Sequence, residues 1–236
     1  NRNNSIPPDR HDGCSNRSTI TRPLRVWLEE IAQEWDLVDF PLYHEITEET
    51  LPWLLPTVNV NLNLTVFSKC DTPPGQFRTL FRDVVESHCT AKVIYTDGSK
   101  TEQGVGSSIV VDGTPHAWTL APVVSIFTAE QYAIWQALRY TEMSTNTKKF
   151  LIASDSLSVL TGLMDRHSRD PLTQMCLVTI KSIMDAGIDI IFFWIPSHAG
   201  IPGNEMADQS AKQAALSQLV DVYHIKLPDQ RKYIAE

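Results

Sequence analysis

The chain lacks any apolar run of membrane length, and its polar start has no apolar core of a secretory signal peptide. Cysteine is scarce as well: the four residues are scattered and form no Cys-x-x-Cys pair, which makes a zinc site improbable. Four cysteines could form two disulfides, but without a secretory signal we expect reduced thiols. We therefore expect an intracellular protein with no membrane partner, and the sequence does not distinguish nucleus from cytoplasm.

Positive charge is also in short supply. The chain carries 20 Lys and Arg against 28 Asp and Glu, for a formal net charge of −8. Such a balance argues against a sequence-independent DNA binder, which normally has a basic surface. The acidic excess is uneven, because residues 1–90 carry 8 basic against 13 acidic residues and residues 91–236 carry 12 against 15. The acidic balance therefore weakens the hypothesis of a nucleic-acid partner but does not exclude it.

The first 90 residues contain little regular patterning, and the whole chain has no internal repeats. Residues 1–22 are polar and contain a Pro-Pro pair, which predicts a disordered tail or a linker. Residues 23–90 are interpreted as a proline-rich connector with two short amphipathic helices, at 23–35 and 76–88. The chain begins with Asn, so we expect it to be a fragment or a processed piece of a longer protein.

Regular elements begin at residue 91, and we place one α/β domain at 91–219, followed by a tail at 220–236. The pattern predicts five strands, at 92–97, 104–111, 115–120, 148–153 and 188–195. Asp112-Gly113 is a two-residue hairpin signal that pairs the second and third strands. Helical crossovers then require parallel neighbours. The expected fold is a five-stranded mixed sheet, with three antiparallel strands, two parallel strands and helices on both faces.

Four helices are expected between these strands and after them. A capping box at Thr128–Gln131 opens a helix that continues to about Met143. Two further helices are predicted at 156–164 and 171–186. Asn204 is positioned to cap a last helix that ends near Leu219.

Four carboxylates fall at positions where this fold would gather them. Asp97 follows a buried strand and precedes Gly98-Ser99, which predicts a turn at the carboxyl end of the strand, where ligands of open α/β sheets collect. Asp155 ends the fourth strand at the same edge. Glu130 is expected in the first turn of its helix, where the helix dipole favours an ionised carboxylate. Asp208 lies about one turn into the last helix.

Four gathered carboxylates would repel one another and raise each other's pKa, so such a cluster requires a cation. Hard oxygen ligands suit Mg²⁺ or Mn²⁺, and two ions could act on a phosphodiester. Two Mg²⁺ ions would also take the charge of residues 91–236 from −3 to about +1. Taken singly, each carboxylate has a structural alternative as a cap or a capping-box member; their joint placement favours the metal site.

Four motifs in this order resemble those of type 1 ribonuclease H. They are Thr96-Asp97-Gly98-Ser99, Thr128-Ala129-Glu130, Ser154-Asp155-Ser156 and the run from His198 to Asp208, His-x-Gly-x-x-Gly-Asn-Glu-x-Ala-Asp. The last motif is highly specific, whereas Thr-Asp-Gly-Ser alone would be weak. The resemblance covers about residues 91–216. It implies Mg²⁺-dependent cleavage of the RNA strand of an RNA–DNA hybrid, leaving 5′-phosphate and 3′-hydroxyl ends.

The resemblance also implies roles for individual residues. Asp97, Glu130, Asp155 and Asp208 become the metal ligands, and His198 becomes a mobile-loop histidine that assists proton transfer or product release. Backbone near Gly98-Ser99 becomes a contact with the hybrid, although Ser99 could equally be only a turn residue.

Glu205 becomes a residue that orients the loop or the metal ligands. A Glu that favours the helix dipole is an equally good interpretation of that position.

The flanking residues are similar to ribonuclease H domains of arthropod non-LTR (LINE-like) retrotransposons. The similarity rests on Val93–Lys100, Phe127–Glu130 and Pro196–Gly200. In that family the domain follows a reverse transcriptase in one polyprotein, and residues 23–90 resemble the connector after the polymerase. Some cellular members have a basic, Trp-rich substrate-binding segment that is absent here. The linked polymerase is therefore expected to supply much of the affinity for the hybrid.

Two other functions compete with an active hybrid-specific nuclease. One is a catalytically silent module that binds nucleic acid or docks on the reverse transcriptase; a substituted carboxylate would favour it, and none of the four is substituted. The other is a proofreading-type exonuclease, which expects Asp-x-Glu on the first strand. Here that pair is Asp97 and Ser99, so the exonuclease is set aside.

Overall fold

The computed structural model describes residues 51–68 and 71–222 of the chain. The predicted tail at 1–22, the helix predicted at 23–35 and most of the tail predicted at 220–236 lie outside the described residues. Among the described residues, no helix has both the length and the apolar character needed to span a membrane.

A six-stranded mixed sheet forms the centre of the fold, in the order β1-β6-β5-β2-β3-β4. Its strands are β1 Val60–Asn61, β2 Lys92–Lys100, β3 Val105–Val111, β4 Thr114–Leu120, β5 Lys149–Ser154 and β6 Asp189–Trp194. β2, β3 and β4 are antiparallel, whereas β5 pairs parallel with both β2 and β6. The five predicted strands and their directions are confirmed. The connector adds the sixth strand, because β1 pairs parallel with β6 at the sheet edge.

Five α-helices flank the sheet in the described residues. They are α1 Pro74–Ser87, α2 Ile126–Met143, α3 Leu157–Gly162, α4 Pro171–Asp185 and α5 Pro202–Ala215. Two short 3₁₀ turns, Pro52–Leu54 and Asn63–Val66, lie upstream in the connector. The last helix, α5, ends at Ala215, four residues before the end predicted near Leu219.

The hairpin between β3 and β4 forms as predicted. Asp112 and Gly113 have φ of 50° and 74°, the left-handed pair that a two-residue type I′ turn requires. The register places Val111 opposite Thr114. This turn fixes which residues of β3 and β4 face the helices.

The turn predicted at Gly98-Ser99 is wrong. β2 continues through both residues, because β3 still pairs with them, Gly98 opposite Ser107 and Ser99 opposite Gly106. The neighbour on the other side stops earlier: the parallel ladder of β2 with β5 ends at Thr96 opposite Ser154. The strand is thus open on one side just beyond Thr96, while antiparallel pairing keeps the other side extended.

Two helix starts also differ from the predictions. α2 begins at Ile126, because the Ser125 side chain caps it by accepting a hydrogen bond from the Thr128 backbone N–H at 3.1 Å. Glu130 is therefore beyond the first turn, and its predicted place there is wrong. α5 begins at Pro202, whose fixed φ suits the first helical position, so Asn204 lies inside the helix and is not its cap.

The two faces of the sheet carry separate apolar clusters. One face packs against α2, α3 and α4, with Ile94, Ile152 and Phe192 among its buried strand residues. The alternate strand residues, such as Leu151 and Phe193, pack on the other face with α1 and the loop before α5. Helices on both faces are thus confirmed.

The described part of the connector packs on this same sheet. Leu55 and Val58 belong to the first cluster, and Leu64, Phe77 and Phe81 belong to the second. All five are at most 6% exposed. The connector therefore contributes core side chains on both faces of the sheet in addition to strand β1.

Candidate active site

Asp97 lies where the strand beside it ends. Because the ladder of β2 with β5 stops at Thr96 opposite Ser154, Asp97 and Asp155 occupy the next step on adjacent strands, about one strand spacing apart. Asp97 is only 7% exposed. Its Oδ1 accepts a hydrogen bond from the Gly98 backbone N–H at 2.8 Å, which fixes one carboxylate oxygen.

Glu130 reaches the same place from α2. A Cβ built at Gly98 would stand 2.6 Å from the Glu130 backbone nitrogen, so only glycine permits the helix to approach β2 this closely. The Ser107 hydroxyl donates to the Ala129 carbonyl at 2.9 Å and holds the helix there. The Ser156 hydroxyl, which follows Asp155, donates to the Glu130 carboxylate. Ser156 thus joins the end of β5 to α2.

Asp155 is held by groups from two other elements. The Trp194 indole N–H donates to its backbone carbonyl at 3.1 Å, and the Asn204 amide lies 3.4 Å from Oδ2. Asn204 is 2% exposed, and its Oδ1 has no hydrogen-bond partner among the described residues. Sequence reasoning assigned Asn204 to a cap. The Asn-Glu pair within the last motif was the signal that could have placed it at the site.

Asp208 comes from α5, on the face of the sheet where Tyr95 packs. The Lys212 ammonium, one turn later, pairs with its Oδ2 at 2.7 Å. Sequence reasoning overlooked Lys212, although its spacing of four residues from Asp208 on a helix predicts such a pair. A protein cation therefore already neutralises part of the cluster charge.

His198 and Glu205 lie beside Asp208. Ligand atoms of these three residues fall within 4.8 Å of one another. The His198 Nδ1 is 3.9 Å from Glu205 Oε2, and the other Glu205 oxygen accepts from the Gly200 backbone N–H at 3.1 Å. The exposed His198 has φ of 54°, a left-handed conformation that non-glycine residues rarely adopt. Glu205 thus contacts both the loop backbone and its histidine.

The charges at the site disfavour their own ionisation. Burial, reinforced by the charges of Asp155 and Asp208, raises the pKa of Asp97 to about 8, although the Gly98 N–H opposes the shift. Burial also raises the pKa of Glu130, against the Ser156 hydrogen bond, and the pKa of Asp155, against the Asn204 hydrogen bond. Buried carboxylates with raised pKa gain most from a nearby cation.

The donor set fits a hard divalent cation. Asp97, Glu130, Asp155 and Asp208 offer carboxylate oxygens, the ligands that Mg²⁺ and Mn²⁺ prefer. Asp97 interacts electrostatically with the other three, so the fold places all four carboxylates in one neighbourhood. The buried Asn204 Oδ1, which has no hydrogen-bond partner in the described part of the chain, is a further polar oxygen beside Asp155. These residues could hold a metal that offsets the repulsion.

The structure places Gly98 and Ser99 at the same edge. Gly98 packs against the start of α2, and Ser99 is 7% exposed within β2. Both are therefore accounted for by packing within the fold. A backbone contact with nucleic acid at these residues stays a prediction.

The mixed sheet with a carboxylate cluster at one edge defines an α/β protein with a candidate metal-dependent active site. A family model described as RNase H matches residues 89–216, more than half of the sequence, and the chain belongs to that family. It is 31% identical over 134 residues to a Pol polyprotein of equine infectious anemia virus (strain Wyoming). A second Pol polyprotein, from isolate 1369 of that virus, is 30% identical over 130 residues. Each match covers 55% of this chain but only 11% of the polyprotein.

Proposed function

We propose that the protein is an endoribonuclease that hydrolyses the RNA strand of RNA–DNA hybrids. The observation that carries the proposal is the convergence of Asp97, Glu130, Asp155 and Asp208 at the end of β5, in a fold of the RNase H family. A merely structural role does not require buried carboxylates with raised pKa to be gathered in this way.

We propose two divalent ions, Mg²⁺ or Mn²⁺, as the cofactors, held by the four carboxylates. When bound, such ions supply a Lewis acid that activates water and stabilises the charge developing on the scissile phosphate. The protein supplies the orientation of the ligands. Ser156 fixes the Glu130 carboxylate, Asn204 lies against Asp155, and the Gly98 N–H fixes one oxygen of Asp97. These contacts keep the charged groups in place before the ions arrive.

His198 is proposed to transfer a proton during the reaction or to assist product release. It is exposed on the loop before α5, and Glu205 lies 3.9 Å from its Nδ1. An imidazole is the side chain best suited to exchange protons near neutral pH. The Gly200 backbone N–H donates a hydrogen bond to the Glu205 carboxylate, which keeps this loop near Asp208.

The substrate is proposed to bind along the edge that carries the carboxylates. An RNA–DNA hybrid is recognised by its shape, its phosphates and the 2′-hydroxyls of the RNA strand. More than half of the lysines and arginines in the described residues form ion pairs with carboxylates, which makes them less available for phosphate contacts: Arg82, Lys92, Arg139, Lys149, Lys181 and Lys212. We therefore expect weak binding by the isolated chain.

We further propose that the chain is part of a replication polyprotein, downstream of a covalently linked reverse transcriptase. The Pol polyproteins that it matches are much longer than the matched stretch, which supports this proposal. The residues in and around its motifs resemble those of arthropod non-LTR retrotransposons, which supports such an element as the source. A linked polymerase would raise the effective concentration of hybrid at the site. Sequencing the gene upstream of residue 1 tests this, since a polymerase reading frame must be found there.

Strand specificity tests the proposed activity. The purified chain is incubated with Mg²⁺ and an end-labelled RNA–DNA hybrid, beside RNA duplex, DNA duplex and single-stranded RNA of the same sequence. We expect cuts only in the RNA of the hybrid, with 5′-phosphate and 3′-hydroxyl products. Equal cleavage of RNA duplex would contradict hybrid specificity. Binding of the hybrid without any cleavage would instead favour the silent module.

A further inference from the structure

A helix outside the matched family segment packs against the sheet next to the candidate active site. The match to RNase H begins at residue 89, whereas α1 ends at Ser87. Phe81 of this helix is 3% exposed. Its ring centroid lies 5.5 Å from that of Phe193 and 6.0 Å from that of Tyr95, both in the sheet. Phe81 therefore contacts β2 only two residues before Asp97.

The Tyr95 ring supports the first turn of α5 next to this contact. Side chains alternate along β2, so Tyr95 and Asp97 face the same side of the sheet. A Cβ built at Gly203 would stand 2.1 Å from Cε2 of that ring, so the helix backbone rests directly on it. The next residues of this turn are Asn204 and Glu205. The position of the ring therefore sets the position of the turn that lies beside Asp155.

The loop that carries His198 is anchored in the same apolar cluster. Ala199 and Ile201 are 4% and 2% exposed and belong to the cluster that contains Phe77 and Phe81. His198, between these anchors and β6, has a left-handed φ of 54°. Such a conformation persists only where the surrounding packing enforces it. The packing in this case includes side chains of α1.

We propose that Phe81 is a positioning residue for the candidate active site. Through its contact with Tyr95, it holds the first turn of α5, and the His198 loop that precedes this turn, in place beside Asp155. Helix α1, which precedes the matched segment, thereby contributes to the geometry of the candidate active site. The inference deepens the proposed nuclease function and rests on it for its catalytic meaning, but its structural part stands on the contacts alone.

α1 offers a matched control within the same helix. Phe77 is 2% exposed, as deeply buried as Phe81, but its ring contact is with Phe67 of the connector, at 6.3 Å between centroids. Phe81→Leu and Phe77→Leu remove the same atoms from the same cluster. We expect each variant to lower Tm by a similar amount, roughly 2–4 °C. Any further difference between the two variants, in hydrogen exchange or in activity, then comes from where each phenylalanine lies and not from lost stability.

Hydrogen exchange of the metal-free chain is the first measurement, since it needs no activity. In Phe81→Leu we expect the amides of residues 197–205 to exchange at least about tenfold faster than in the native chain, and in Phe77→Leu we expect native rates there. On hybrid substrate we expect Phe81→Leu to lower kcat about threefold to tenfold while KM stays within about twofold. Should Phe81→Leu fail to fold, Phe81→Met keeps more of the volume and takes its place.

The outcomes separate this inference from the proposed function. Equal exchange at 197–205 in the two variants would overturn the positioning role, whether or not the native chain cleaves hybrid. Faster exchange in Phe81→Leu alone supports it, even if the native chain proves inactive. If the native chain cleaves hybrid and Phe81→Leu cleaves it with native kcat, the inference fails and the nuclease proposal remains.

Discussion

Gly98 of β2 lies so close to Glu130 of α2 that a side chain at residue 98 would press on the Glu130 backbone nitrogen, at 2.6 Å. This contact brings a carboxylate from one face of the sheet to the edge that Asp97 and Asp155 occupy. Close packing therefore explains why residue 98 is glycine. No turn is needed to explain it, since the φ of Gly98 lies outside the left-handed region. The glycine fixes the spacing between a strand and a helix.

Gly98→Ala is expected to displace α2 and damage both stability and catalysis. Overpacking of this kind costs about 1–3 kcal/mol, and a shift of Glu130 by 1 Å would cost about a hundredfold in cleavage. Thermal unfolding and cleavage of hybrid measure the two effects. Gly162→Ala in α3 is the control, because nothing lies within 4 Å of its added methyl group. Equal activity in the two variants would contradict the spacing role of Gly98.

Lys212→Gln is expected to tighten divalent metal binding. The ammonium pairs with Asp208 at 2.7 Å, and its pKa is raised first by that hydrogen bond, so it competes with a cation for the carboxylate. Removing one nearby positive charge should lower the Mg²⁺ dissociation constant about threefold to tenfold. Calorimetric titration measures this. Lys181→Gln removes a similarly spaced pair with Asp185 on α4 and should leave the constant unchanged. Weaker binding in Lys212→Gln would show that the lysine supports the metal site.

The metal-free chain is expected to lose stability as pH rises from about 4 to about 8. Asp97 has a pKa of about 8 in the folded chain, above the usual value of 3.8, so the folded state binds more protons than the unfolded state in this interval. Stability therefore falls as pH rises toward the folded pKa. Asp97→Asn should flatten the curve, and Mg²⁺ at 100 times its dissociation constant should add about 2.7 kcal/mol at pH 8. Thermal unfolding at several pH values checks both. Stability in metal-free buffer that rises between pH 5 and pH 8 would contradict the raised pKa.

A fragment of residues 89–222 is expected to fold poorly compared with residues 51–222. The shorter fragment removes α1 and β1 and exposes the apolar face that includes Leu151, Phe193 and Ile195. Losing even one buried phenylalanine costs about 3–5 kcal/mol, a large part of the stability of a single domain. Circular dichroism and binding of a hydrophobic dye measure the difference. A fragment of residues 89–222 as stable as the longer one would show that the connector is dispensable for the fold.

The strand directions could be predicted from the sequence because local signals agreed there. Asp112-Gly113 determines one hairpin, and the helical crossovers allow only parallel neighbours for β5 and β6. β1 could not be predicted, because a strand of two residues in a proline-rich segment is too short to show an alternation of apolar and polar residues. Its pairing with β6 also depends on contacts that are distant in sequence. The same limitation hid the packing of Phe81 on Tyr95.

The four carboxylates could be selected from the sequence, but their surroundings could not. Gly98 carried a turn signal, whereas the structure uses it for the approach of a helix, since β3 keeps the strand extended. The capping signal at Thr128 was displaced by Ser125, three residues earlier. Asn204 was taken as a cap because a lone Asn before a helix usually is one, and only the fold shows Asp155 next to it.

The most direct test of the account is cleavage of a labelled RNA–DNA hybrid in Mg²⁺ by the native chain beside Asp97→Asn. The substitution keeps the size of the side chain and removes the charge at the centre of the cluster. We expect the native chain to cut the RNA strand, and the variant to be at least about a thousandfold slower while its folded structure persists. Cleavage by the variant at the native rate, or none by the native chain in either Mg²⁺ or Mn²⁺, would contradict the account.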